Sequence, residues 1–194
     1  MHCGLADKQQ MARHRQCTPL ATMPYEHFSY QNQDRKSYLH ADKDKRMKLD
    51  RYELKSDEQL TTFDFLSEGP KGKIEKLIQF SLVNQSGLYN LAFGDKDPIT
   101  SGIDDKVITD NGDSEKILAT IVASVYAFCD KFPQAWIYAT GSTAARTRLY
   151  RMGINKFYDI VETDFEIFGL TLSEWERYEK DKDYQAFVIQ RKKS

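Results

Sequence analysis

Histidine is absent from residues 47–194 of this 194-residue chain; all four (His2, His14, His27 and His40) come before Met47. The absence removes the Ser-His-Asp triad, the Cys-His pair and every His-based metal site from that longer part. Cysteine is nearly as scarce. Cys129 is the one thiol after residue 46, and it sits in an apolar helical pattern that reads as a small buried hydrophobe. Chemistry in 47–194 must therefore use carboxylates, Tyr, Lys, Arg, Ser, Thr or the backbone. The three cysteines are odd in number and irregular in spacing, which fits a reducing compartment better than a disulfide framework. No apolar run approaches the roughly 18 residues of a membrane-crossing helix, and the N-terminus has no apolar signal core. The expected location is the cytoplasm, with no membrane partner. A charge excess is lacking too. The net charge is -1, so no global basic surplus points to nucleic acid.

What is present divides in two. Residues 1–46 hold all the histidines, two of the cysteines and eight Lys and Arg against five Asp and Glu. Their polar composition shows no lasting apolar period, so they cannot bury enough surface to offset ordering entropy. They read as a disordered extension, and Met47, opening MKLDRYELK, reads as a natural start. The spacing Cys3, His14, Cys17, His27 matches no zinc pattern, and no metal site is expected.

Residues 47–194 are patterned. Alternation predicts strands over 61–69, 73–83 and 87–95, joined by short connections that favour antiparallel neighbours. A loop follows over 95–112, with a short strand at Lys106–Thr109. The stripe Ile117, Ile121, Val125, Phe128 and Phe132 predicts a helix over 113–132, started by Asp113 or Ser114 and stopped by Pro133. AWIYAT (135–140) reads as a central strand covered on both faces. A second helix is predicted from Thr143 to Met152, with Ala145, Leu149 and Met152 facing the core. Gly153 fits the left-handed position just past its end. Strands at 164–170 and 184–190 close the chain, separated by a charged segment with Trp175 and Tyr178 exposed. The order β-β-β-α-β-α-β-β predicts an α+β fold with a mixed sheet and helices packed on it.

YATGSTAARTRLYRMGI (138–154) allows two readings. In one, Gly141 makes a turn, Ser142 or Thr143 caps the helix, and the arginines are a solvated surface. In the other, a helix start after a glycine turn is an anion site. Arg146 and Tyr150, four apart, share one flank with the Ser142/Thr143 end. Arg148 lies on the opposite flank and Arg151 points outward. The candidate ligand-binding residues are therefore Gly141, Ser142, Thr143 and Arg146, with Tyr150 as the candidate catalytic group. A phosphate-bearing metabolite, a nucleotide or an RNA backbone would each suit such a site.

The element order resembles the core of the GNAT acetyltransferase fold, over most of 60–191. In that family the second helix commonly reads Asn-x-x-Ala-x-x-Leu-Tyr-x-x-x-Gly-Phe, and STAARTRLYRMGI is similar to it. The resemblance implies a GNAT-like fold, acetyl-CoA as cofactor where acetyl transfer is retained, and Tyr150 as general acid. The family's basic, glycine-rich pyrophosphate turn would fall at DNGDSEKI (110–117), which carries Asp110, Asp113 and Glu115 instead. A carboxylate about 4 Å from a phosphate costs roughly 4 kcal/mol at an effective dielectric near 20. SEGPKGKIEKLIQF, LYNLAFGD, NGDSEKILATIV and GSTAARTRLYRMGI together look like a family of small Bacteroidota proteins, a domain of unknown function, over about 47–192. That likeness carries no activity with it.

The expected function is thus a non-catalytic or divergent GNAT-like domain that binds an anionic ligand or a partner protein. An active acyltransferase, including the toxins that modify charged tRNA, is the alternative. A toxin–antitoxin or regulatory component acting through protein or RNA contacts is the third reading.

Overall fold

The computed structural model describes residues 49–104 and 109–193. The extension expected over 1–46 lies outside them, as does the strand expected at Lys106–Thr109, all but its last residue. The strands are β1 (Lys55–Ser56), β2 (Thr62–Gly69), β3 (Gly72–Leu82), β4 (Leu88–Lys96) and β5 (Ile103–Asp104). Then come helix α1 (Ser114–Lys131), β6 (Trp136–Ala139) and helix α2 (Ala144–Val161). The chain closes with β7 (Phe165–Leu170), β8 (Trp175–Arg177) and β9 (Ala186–Arg191). The eight predicted elements are all present, and β1, β5 and β8 are short additions.

The strands form one mixed sheet in the order β1-β2-β3-β4-β6-β9-β7-β8, with β5 paired to β4. Two antiparallel halves meet where β4 runs parallel to β6, from Leu88 opposite Trp136 to Leu91 opposite Ala139. A parallel neighbour cannot be reached by a tight turn, so α1 carries the chain across. From β6 the chain passes through α2 to β7, and β9 returns between β6 and β7.

Both helices pack on one face of the sheet. On α1, Ile117, Ile121, Val125 and Phe128 are buried as the stripe predicts, and Phe128 stacks on Phe80 at 4.1 Å. Cys129 is fully buried, and burial pushes its thiol up to about 12, leaving it unreactive. On the sheet's other face, Leu88, Phe168 and Val188 form a smaller cluster under Trp136, Tyr138 and Trp175.

The second helix is longer than predicted. It continues through Gly153 to Val161, so Gly153 is not an end signal. A Cβ on Gly153 would stand 2.8 Å from Leu118 Cδ2, so the glycine lets α2 approach α1. The core face is correspondingly shifted toward Leu149, Tyr150, Gly153, Ile154 and Phe157. Ala145 and Met152, expected inside, are exposed. Tyr178, expected outside, is buried, and its hydroxyl donates to Asn155 Oδ1 at 2.5 Å. Trp175 opens β8 and is half-buried edge-on against Tyr138.

Two measurements test this packing. Gly153→Val puts branched carbon against Leu118 and should destabilise the protein by roughly 1–3 kcal/mol, read from its urea midpoint. Burial also pushes the phenols of Tyr178 and Tyr150 from 10.0 up to about 12. The folded chain then keeps protons that the unfolded chain releases. Their contribution to stability is whole below pH 10 and is lost as pH rises toward 12. Urea midpoints should fall over that window, less so in Tyr178→Phe relative to its own value at neutral pH.

Candidate functional site

The segment between β6 and α2 is folded back on the helix it starts. The Gly141 N–H donates to Thr147 Oγ1 at 3.0 Å, and Thr147 Oγ1 donates to the Thr143 carbonyl at 3.3 Å. A Cβ on Gly141 would lie 2.3 Å from the Thr147 nitrogen, so only glycine fits that contact. Thr143 is the N-cap, in an extended conformation, and its Oγ1 accepts from the Arg146 N–H at 3.3 Å. Thr140 Oγ1 donates to the Gln185 carbonyl at 2.9 Å, which ties the turn to the approach to β9. No acidic residue lies in the first turn of α2. The positive end of an 18-residue helix is therefore not neutralised from within.

A cleft of about 520 Å³ opens at this end. One wall is the 140–144 turn, the second is the face of α2 bearing Thr147, Arg148 and Arg151, and the third is Asp183–Gln185. Arg151 is ion-paired with Asp183. Arg148 is exposed and has no ion pair among the described residues.

The predicted site residues divide between two places. Gly141, Ser142 and Thr143 line the cleft. Arg146 does not: its guanidinium donates to Ser142 Oγ at 2.9 Å and to the Asp104 carbonyl at 3.4 Å, reaching toward β5. Tyr150 turns inward. Its hydroxyl points to the Leu91 carbonyl at 3.4 Å, and the ring lines an apolar cavity of about 80 Å³ between the helices and the sheet. Burial raises its phenol to about 12, with Arg146 pulling the other way. The cleft's arginines are instead Arg148 and Arg151, which the helical-wheel reading had turned away. Their spacing of three was visible in the sequence. The third wall, from a distant segment, was not.

The start of α1 differs in charge. Asp113 is its N-cap residue, yet the side chain does not cap the helix. Its Oδ2 accepts from the Tyr52 hydroxyl at 2.7 Å and from Ser67 Oγ at 2.6 Å. Its Oδ1 is buried with no hydrogen-bond partner among the described residues. Asn111, also buried, donates to Ser67 Oγ and to the Gly72 carbonyl, both at 3.0 Å, and accepts from the Lys71 N–H at 2.9 Å. The 111–113 segment is thus fastened to the β2–β3 hairpin, and Glu115 adds a second carboxylate in the first turn. Glu115 is ion-paired with Lys156 at 2.8 Å, so the positive end of α1 is answered by carboxylates that are already engaged within the chain.

No described helix is long and apolar enough to cross a membrane. No curated protein and no solved structure matches the chain. One family model does, over residues 48–192, and the chain belongs to that family, DUF6934, a family of unknown function.

Proposed function

We propose that this chain is a GNAT-like domain, divergent from the acetyltransferases, that binds a small anionic ligand in the cleft at the start of α2 in the cytoplasm. The observation that carries the reading is Arg148. Its guanidinium has no ion pair among the described residues and stands beside an acid-free helix end, at the rim of a cleft of about 520 Å³. Each hydrogen bond from such a group to an ionised ligand contributes about 1.5–3 kcal/mol.

Three features favour the GNAT-like fold without its usual reaction. β4 and β6, linked through α1, are parallel neighbours, and the last strand, β9, returns between β6 and β7. Asp113 and Glu115 stand where a coenzyme A pyrophosphate would need donors. Tyr150, the would-be general acid, has its hydroxyl turned into an apolar interior. An acyltransferase is the second reading, and the apolar cavity next to Tyr150 and the β4–β6 junction is what favours it.

Calorimetric titration of the full chain with inorganic phosphate separates these readings. Binding should be detectable, and Arg148→Ala should weaken it by about tenfold or more. Acetyl-CoA should leave the melting temperature unchanged. A shift of several degrees with acetyl-CoA, together with acetyl transfer to any amine, would reverse the assignment. Tyr150→Phe would then be the variant expected to lose the transfer.

A further inference from the structure

Arg151 and Asp183 face each other across the cleft as an ion pair of unequal members. The Arg151 side chain is 23% exposed and the Asp183 side chain 91%. The residues around Asp183 are held elsewhere. Asp181 accepts from Asn155 Nδ2 at 3.3 Å, Lys182 pairs with Glu176, and the Tyr184 hydroxyl donates to Glu176 Oε1 at 2.8 Å. Asp183 can therefore leave Arg151 by side-chain rotation alone, with water ready to receive its carboxylate.

We infer that the cleft takes a small polyol phosphate, a phosphomonoester held by Arg148 and Arg151, and that Asp183 is the internal competitor which the phosphate displaces from Arg151. The inference rests on the anion-binding reading above and names its ligand class. With Asp183 in place the two arginines and the aspartate carry a net +1. A monocarboxylate entering at Arg151 exchanges one carboxylate for another and gains only Arg148. A phosphomonoester carries about -1.5 to -2 charges at neutral pH and three strong acceptor oxygens, so it engages both guanidiniums at once. A phosphodiester, with one charge and two terminal oxygens, does so less well.

The rest of the cleft indicates the rest of the ligand. Its volume exceeds what a phosphate needs, and Ser142 and Gln185 border it with a hydroxyl and an amide. The aromatic ring in its wall, Tyr184, is 7% exposed and offers no open face for a nucleobase to stack on. The space therefore offers hydrogen-bonding groups for hydroxyls and no stacking partner for a purine.

Titration of the full chain with glycerol 3-phosphate, dimethyl phosphate, acetate and adenosine monophosphate tests the inference. Glycerol 3-phosphate should bind at least about tenfold more tightly than acetate or dimethyl phosphate. Asp183→Asn should tighten it by about threefold to tenfold, because the competitor is gone. Asp183→Glu, which keeps the charge, should leave it near the native value. Equal affinity for acetate, preference for the nucleotide, or no gain in Asp183→Asn overturns the inference while phosphate binding stands. If inorganic phosphate and glycerol 3-phosphate both fail to bind, and Arg148→Ala behaves as the native chain, the inference falls together with the anion-binding reading.

Discussion

Four residue pairs decide the architecture. Leu88–Leu91 of β4 run parallel to Trp136–Ala139 of β6, and among the described strands this is the single parallel pairing. Everything to one side of it is an antiparallel series built on β2, β3 and β4. Everything to the other side is a second antiparallel set built on β6, β9 and β7. Because β4 and β6 point the same way, the chain must cross over through α1, and the crossover puts a helix on the sheet. The second crossover, through α2, lays another helix on the same face. The two helices then share one core, where Gly153 brings α2 against Leu118 of α1.

The same topology produces two helix starts, and their side chains give them opposite characters. Both helices are 18 residues long. At α1 the cap residue is Asp113, bound by Tyr52 and Ser67, with Glu115 in the first turn. Those carboxylates answer the helix's positive end from within the chain. At α2 the cap is Thr143, uncharged, and the turn before it is closed by hydroxyl contacts. The positive end is therefore answered within the chain at α1 and left without a first-turn acid at α2, although the backbone geometry of a helix end is common to both.

Local pattern made most of this order legible. The α1 stripe placed its helix within a residue at each end, and the alternation in β2, β3 and β4 placed three strands. The failures have physical causes. Glycine is common at helix stops, but the role of Gly153 is close packing against Leu118 of α1, 35 residues earlier in the chain. Such a contact leaves no local trace. Tyr178 lies among charged residues, and the three-residue β8 before it is too short to show a period of two. At the candidate site, spacing on α2 puts Arg146 and Tyr150 on one flank and Arg148 on another, yet the Arg146 guanidinium reaches Ser142 and Asp104 while Tyr150 turns inward. What spacing could not supply was the location of the cleft. That is set by Asp183–Gln185, which the return of β9 beside β6 brings alongside α2. The wall selects which flank of the helix faces the cleft.

The absence of histidine gains meaning once the site is placed. The cleft's ionisable side chains are two guanidiniums, one exposed carboxylate and the phenol of Tyr184, which burial also raises above its ordinary value. The raised Tyr184 phenol keeps its proton near neutral pH. Elsewhere in the fold, away from the cleft, the thiol of Cys129 and the phenol of Tyr150 are both held near 12 by burial. General acid–base work is most effective when a group's pKa lies near the working pH. A set of this kind is poorly matched to moving protons and well matched to holding charge. Fixed guanidinium charge beside an uncompensated helix end performs best where a ligand's own charge is fixed as well. This charge-holding character is the ground on which we propose recognition of an anion at the cleft.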